Sequence, residues 1–325
     1  METGIASTGD MQPERPHMDP QVSVIIPYYR GRKWLPLSLS SALRQDDVTL
    51  EVIVVDDGSG SPSDDIIRGL ADPRIRLLRI PHGGKGAAVN AGARIARGSL
   101  ICILDQDDEM LPGRLMAQAA ALREMPDVDA VYSDYERRDE GGGLIDVFTS
   151  KQASPEQMLH CLATSIGLFS IQTLLLRKRT FDEIGGLSSD DRITGFDDAE
   201  FFIRLLLAGT RLRYVPGIFA RWISHSANYS KSPRFHEARR FWIERLTSLA
   251  DENDALKKEL PFFKAHNYLM RGIFFLNDNQ PGQAAREFAK AIRADSLNAS
   301  ALYLLGKSVA RTVVSSFCRH TRGQT

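Results

Sequence analysis

The sequence predicts an α/β fold: a mostly parallel nucleotide-binding sheet flanked by helices, followed by an all-α C-terminal extension. Three observations predict it. Over residues 22–125, short apolar, β-branched runs alternate with segments of helical spacing, as in successive βαβ units. Acidic clusters fall at the C-terminal tips of the apolar runs, the edge at which such sheets bind ligands. Beyond Pro233 the pattern changes, and residues 235–310 read as helical throughout, with few β-branched positions.

In chain order, residues 22–27 form a buried strand stopped by Pro27. Residues 31–45 have helical spacing, with Leu35, Leu39, Ala42 and Leu43 on one face. A second strand, 50–55, ends in Asp56-Asp57-Gly58-Ser59; a helix over 62–70 and a strand over 74–80 follow. A glycine-rich turn, His82-Gly83-Gly84-Lys85-Gly86, leads into a helix over 87–97. The fourth strand is 99–104, and a helix over 112–125 opens with Pro112 at a favoured first-turn position. From 128 to 232 the pattern is less regular: strands at 131–135, 144–148 and 211–216, a helix over 197–208, and an irregular stretch from 140 to 195. Residues 265–293 read as an antiparallel helix pair turned at 278–282, with a third helix over 299–309.

The composition excludes several classes. At 325 residues the chain holds one large domain plus an appendage, or two domains, and its 43% apolar and 25% charged residues are those of a soluble globular protein. Lys plus Arg (41) equals Asp plus Glu (41), so no global field argues for nucleic acid. Cys102, Cys161 and Cys318 are widely spaced without a CxxC pair, which points to a reducing compartment and away from structural zinc. No apolar run approaches the roughly 18 residues of a membrane span. Residues 1–20 are polar and lack the apolar segment of a signal peptide, so they read as a disordered tail on a cytoplasmic protein. The short basic run 311–322 offers at most a peripheral contact with an anionic membrane.

Asp105, Asp107 and Asp108 sit at the tip of an apolar strand. Carboxylates packed this closely repel one another, and a hard divalent cation shared with a diphosphate answers that repulsion. A solvated acidic turn is the competing reading. Asp56 and Asp57 follow strand two and Tyr28 and Tyr29 follow strand one, so the clusters form one composite site. Within it, an Asx-turn accounts for one of Asp56 and Asp57 but not for both. The glycine turn around Lys85 is too short for a Walker loop, yet makes an anion-friendly nest. Lys85 is either a diphosphate or nucleobase partner or a solvated lysine.

These pieces, in order, resemble the family 2 inverting glycosyltransferases of GT-A fold. The strand ending in Pro27-Tyr28-Tyr29 is similar to the family's opening strand, Val55 to Ser59 to its nucleotide-binding loop, and Asn90-Ala91-Gly92 to its Asn-x-Gly. Leu104 to Asp108 is similar to its DXD element, Gly195 to Arg204 to the acidic helix start, and Arg221 to Ser230 to the closing loop. The resemblance covers residues 21–232, leaving 1–20 as tail and 233–325 as a helical segment. Three positions depart from the family pattern: Arg30 where Asn is common, Val89 where Arg is common, and Asp197-Asp198 in place of Glu-Asp.

The resemblance implies transfer from a nucleotide-sugar, a UDP-sugar first, to a glycan or lipid-linked acceptor, with Mn²⁺ or Mg²⁺ as cofactor. It implies Asp198 as general base with Asp197 tuning its proton affinity. Asp107 and His225 would be metal ligands, and Asp105 a ribose contact or a further metal ligand. Asp57 would accept from the nucleobase, with Pro27 and Tyr29 lining the base pocket and Tyr28 packing in the core. Asp108 is either a ligand or the cap of the following helix. The C-terminal helices are similar to one tetratricopeptide unit, with Gly272, Ala284 and Phe288 at the expected places, so they pack on the main domain or on a protein partner. Two other classes compete: a catalytically silent nucleotide-sugar-binding or helical-repeat interaction protein, which intact Asp105, Asp107, Asp198 and His225 disfavour, and a nucleotidyltransferase, which needs a basic glycine-rich loop after strand one.

Overall fold

The computed structural model describes residues 20–45, 48–60, 63–164 and 170–308. The N-terminal tail and the basic run 311–322 therefore lie outside the described residues, Pro20 apart. β1 (Val22–Tyr28), β2 (Leu50–Asp57), β3 (Ile75–Ile80) and β4 (Leu100–Ile103) form the parallel half of the sheet, with β2 and β4 on either side of β1. Helices α1 (Leu35–Leu43), α2 (Asp64–Leu70) and α3 (Gly84–Ile95) connect these strands. After β4 come β5 (Glu109–Met110), α4 (Arg114–Glu124), β6 (Ala130–Asp139), β7 (Leu144–Phe148), α5 (Pro155–Thr164), β8 (Leu175–Arg177), α6 (Lys178–Ile184), α7 (Asp197–Leu207) and β9 (Leu212–Ser224). Among the described residues the sheet runs β3-β2-β1-β4-β8-β6-β9-β5, with β7 paired to β6. β8 is antiparallel to both β4 and β6, and β9 is parallel to β6. The fold is the α/β sheet with flanking helices that the sequence predicts, and α8 (Pro233–Asp251), α9 (Asp254–Asn277), α10 (Pro281–Ala294) and a helix over 299–308 complete it.

Strand alternation divides the interior into two layers. Ile25, Ile53, Val55, Ile101 and Ile103 face α3 and the α7 residues Phe201 and Phe202. Val24, Ile26, Val52, Val54 and Cys102 face Leu35 and Leu39 of α1 and Leu115 and Leu122 of α4. Each fully buried aliphatic side chain contributes about 1.5–3 kcal/mol. The first layer continues into Trp242, Leu246 and Ala250 of α8 and Leu256 and Phe263 of α9. A separate apolar cluster begins at Leu269 and includes Leu276, Ala284, Phe288, Ala291 and Ala301. The change of character at 233 is thus a change of secondary structure, with α8 and the first part of α9 packed on the first layer and the rest of α9 with α10 holding a cluster of their own. Among the described residues no helix is long and apolar enough to cross a membrane.

Several local expectations change. α3 begins at Gly84, so Lys85 and Gly86 lie in its first turn, not in a loop before it. A Cβ on Gly86 would meet the Ser188 carbonyl oxygen at 1.9 Å, and one on Gly92 would meet Ile25 Cγ2 at 2.7 Å. These glycines let α3 seat on the sheet and on the loop after α6. The strand expected at 211–216 runs on to Ser224, because its second half pairs with β6 and β5. The stretch expected to be irregular holds α5, β8 and α6.

Candidate active site

The carboxyl ends of β1, β2 and β4, the start of α3, the start of α7 and the segment after β9 converge on one cleft of about 630 Å³. Pro27, Tyr28 and Tyr29 line it from β1, Asp57 from β2, Lys85 from α3 and Asp105 to Asp108 from β4. Asp197 and Asp198 line it from α7, and Asn228, Tyr229, Ser230 and Phe235 from beyond β9. Every expected site residue except His225 lies on this wall. His225 stands directly behind it, in contact with Asp107.

Lys85 is the centre of the arrangement. Its Nζ donates to Asp105 Oδ2 at 3.0 Å and to Asp198 Oδ2 at 3.1 Å. The solvated-lysine reading is thereby excluded. Burial alone would push the ammonium down, but Asp105, Asp198 and Asp197 overcome it and hold Lys85 well above the ordinary lysine value. Burial drives the Asp198 carboxyl up, Lys85 opposes this, and Asp197 and Asp105 add to it, leaving Asp198 at about 7. Asp197 is buried and turns one oxygen back on its own chain, where Oδ1 accepts from Gly195 N at 2.9 Å. Its Oδ2 is buried without a hydrogen-bond partner.

Asp107 and His225 form the second centre. His225 Nε2 lies 2.9 Å from Asp107 Oδ2, and Asn228 Nδ2 donates to the same oxygen at 3.3 Å. Asn228 Oδ1 accepts from His225 N at 2.6 Å, which fixes the loop that carries the imidazole. His225 is buried although serines flank it in sequence. The Trp34 indole stacks on its ring at 4.3 Å and 19°. His225 Nδ1 is buried without a hydrogen-bond partner, so stacking and the contacts of Nε2 with Asp107 and with Asn228 Nδ2, at 3.0 Å, orient the ring.

Asp57 accepts from Gly83 N at 2.7 Å and Gly84 N at 2.9 Å, and His82 Nδ1 lies 2.8 Å from its Oδ2. Its carboxylate is the anchor that fastens the start of α3 to the tip of β2. His82 in turn stacks on Tyr29 at 4.3 Å, and Gln106 brackets the Tyr29 backbone, accepting from N at 3.0 Å and donating to O at 3.2 Å. Asp56 caps its own turn, accepting from Ser59 N at 3.0 Å. Asp108 is not at a helix cap: its Oδ1 accepts from Ile223 N at 2.9 Å and so ties the segment between β4 and β5 to β9. The cap position of α4 belongs to Gly113. Asn90 pairs both ways with the Leu187 backbone, at 2.8 and 2.9 Å, and braces α3 against the loop before α7.

The expected trio of metal ligands is not gathered: Asp105 faces Lys85 while Asp107 faces His225. Among the described residues no three His, Cys, Asp or Glu side chains form a ligand cluster. The environment nevertheless suits a cation. Burial, reinforced by Asp105 and opposed by His225, raises the Asp107 carboxyl, and burial with Asp107 and Asp105 raises Asp108 further. Two desolvated carboxylates beside an imidazole are short of positive charge, and oxygen and imidazole donors both take divalent ions.

Sequence reasoning missed Trp34, His82, Gln106 and Asn228. Gln106 and Asn228 stand inside motifs already recognised. Nothing in the sequence marks Trp34 as the partner of a histidine 191 positions away.

The profile described as "Glycosyl transferase family 2" matches residues 23–185. The chain belongs to glycosyl transferase family 2. An uncharacterized glycosyltransferase of Rickettsia felis is 26% identical over 286 residues, covering 86% of this chain and 46% of that protein. The chain thus spans about half the length of the curated relatives it matches. The succinoglycan biosynthesis protein ExoO of Rhizobium meliloti is 39% identical over 97 residues, covering 30% of this chain and 28% of that protein. Among solved structures, Staphylococcus aureus TarS 1–349 in complex with UDP-GlcNAc aligns with TM-score 0.65 at 19% identity, over 92% of each chain. The mannosyltransferase PcManGT of Pyrobaculum calidifontis, in complex with GDP-Man and Mn²⁺, aligns with TM-score 0.57 at 21% identity, over 94% of this chain and 84% of that one. At these identities the likeness shows the fold. It places this family 2 chain in the GT-A architecture, with its C-terminal helices included in the alignment.

Proposed function

We propose that this glycosyltransferase moves a sugar, with inversion, from a nucleoside-diphosphate sugar to a glycan or lipid-linked acceptor. The synthesis of a bacterial-type surface polysaccharide or glycoconjugate is its setting, and a UDP-sugar its first candidate donor. The observation that carries the reading is the Lys85 ammonium, which joins Asp105 of the DXD element to Asp198 at 3.0 and 3.1 Å inside one cleft. Donor-side and acceptor-side carboxylates are thereby set a single side chain apart.

In this reading Asp198 takes the proton of the acceptor hydroxyl. The acceptor oxygen bonds to the anomeric carbon as the bond from that carbon to the diphosphate oxygen breaks, and the diphosphate leaves with the electron pair. A carboxyl poised at about 7 suits a base working near neutrality. Lys85 holds Asp198 in place and lowers the cost of its charge. Tyr29, with His82 stacked on it, and Pro27 form the nucleobase side, while Asp57 shapes that side by holding the 82–84 turn. Asp107 and His225 would hold a divalent ion, with Asp105 on the ribose or the ion; bound there, Mn²⁺ or Mg²⁺ supplies positive charge to the leaving diphosphate. Residues 21–232 carry this chemistry, and the helices from 233 wall the acceptor side and present a tetratricopeptide-like pair.

Calorimetry of uridine diphosphate with Mn²⁺ and with a chelator tests the donor half. Binding that depends on the ion is expected. Equal affinity in both conditions removes the metal role from Asp107 and His225.

A further inference from the structure

α8 is a wall with two sides. Phe235 lines the catalytic cleft, and the residues that follow it, His236, Glu237 and Arg240, line a separate cavity of about 370 Å³ closed by Phe274 and Phe275. That cavity shares Arg271, Phe275 and Gln283 with a groove of about 610 Å³ along α10, bordered by Arg286, Lys290 and Arg293. Through these shared residues the two make one trough, on the side of α8 away from Phe235 and with no lining residue in common with the catalytic cleft. We propose that this trough binds an anionic glycan chain, the already-built part of the acceptor, through its carboxylates or phosphodiesters. The assignment to an acceptor rests on the glycosyl-transfer reading above; the anionic-glycan site itself does not.

Charge is the first argument. The whole chain is neutral, yet the trough gathers Arg240, Arg271, Arg286, Lys290 and Arg293 against Glu237 and Glu287. Arg286, Lys290 and Arg293 are four and three residues apart and share one face of α10. Glu287 is already engaged, by Lys290 at 2.7 Å and Arg271 at 3.4 Å. Arg240, Arg286 and Arg293 have no carboxylate partner among the described residues. A guanidinium is a planar fork that fits a carboxylate or a phosphate in bidentate fashion.

Shape is the second argument. The floor is aromatic, with His236 stacked on Phe274 at 4.3 Å and Phe275 beside it. Flat apolar faces next to guanidinium groups match a sugar ring with its C–H face down and its acidic group outward. The walls are helices and offer no free strand edge to an extended peptide. The surface is concave, where a bilayer requires a flat or convex one. Residues 311–325 carry Arg311, Arg319 and Arg322 and no acidic residue, so that segment has the wrong sign to fill the trough.

The test uses the full chain and fluorescence anisotropy with five probes: labelled oligogalacturonate, a phosphomannan oligosaccharide, neutral dextran, poly-glutamate, and vesicles of anionic phospholipid. Binding to one or both charged glycans, weakening as salt rises, is expected, and the preferred probe tells carboxylate from phosphate recognition. Arg286→Gln with Arg293→Gln, both exposed, should lower that affinity at least tenfold and leave calorimetric binding of uridine diphosphate unchanged. Failure of both charged glycans to bind overturns the proposal. So does equal binding of dextran, poly-glutamate or vesicles, or charged-glycan binding that ignores the double substitution. Failure of the unsubstituted chain to bind uridine diphosphate would instead count against the glycosyl-transfer reading and leave the trough result standing.

Discussion

Replacing Lys85 by Met removes the cation shared by Asp105 and Asp198, which lie 3.0 and 3.1 Å from its Nζ. An opposite charge this close lowers a carboxyl pKa by about 1–3 units. With Lys85 present Asp198 stands at about 7; without it the carboxyl moves upward. A general base works deprotonated, so the rising limb of the kcat–pH profile should shift from about 7 to roughly 8–10 in Lys85→Met. At neutral pH turnover should fall by roughly 5- to 500-fold, half of the base being protonated there already, and recover progressively as pH is raised. Lys85→Arg, which keeps the charge, should hold the limb near its original place. The assay is kcat at saturating donor and acceptor across the pH series for the three proteins. The linkage sign is also fixed. Asp198 sits above its ordinary 3.8, so the native state binds more protons than the unfolded chain between that value and about 7. Its contribution to stability therefore falls as pH rises through this window, and the window extends upward in Lys85→Met. A turnover loss equal at every pH, with the limb unmoved, refutes the coupling of Lys85 to the base.

Asp57→Ala strips acceptors from Gly83 N, Gly84 N and His82, and should cost about 1–3 kcal/mol together with nucleotide affinity; calorimetry and thermal melting read both, and a melting shift with unaltered nucleotide binding would confine Asp57 to the turn. Trp34→Leu should weaken Mn²⁺ binding by about 10- to 100-fold, the usual cost of losing a side chain that orients a ligand, while Trp34→Phe keeps most of it. Titration followed by Mn²⁺ paramagnetic resonance checks this, and unchanged affinity in Trp34→Leu removes the indole from that role.

The parallel half of the fold was legible because its signals are local. β1, β2 and β4 are buried on both faces, so their apolar runs are nearly continuous, and Asp57 and Asp105 mark their tips. The start of α3 was misplaced because Gly84 and Gly86 have poor helix propensity, and what selects the helix there is tertiary: Asp57 accepts from Gly84 N, and the Ser188 carbonyl leaves no room for a side chain at 86. The cap reading of Asp108 fails because its partner, Ile223 N, lies 115 positions away and Gly113 holds the cap. The burial of His225 was not legible because serines surround it in sequence, whereas Trp34 and Asn228 cover it in space. β8 is three residues long and α6 seven, too short for periodicity to register. Residue types at the site could be read directly; which carboxylate meets which cation depends on distances between elements.

The most direct measurement compares wild type and Asp198→Asn in the same sugar-transfer assay and the same donor titration. The substitution keeps size and hydrogen-bonding capacity but abolishes basicity. Turnover should fall by roughly 10²- to 10⁴-fold, the usual contribution of a positioned base. Donor affinity should stay as it was, because the proton comes from the acceptor. Near-normal turnover would contradict the assignment of Asp198 as base, and loss of donor binding would move this carboxylate into the nucleotide or metal shell.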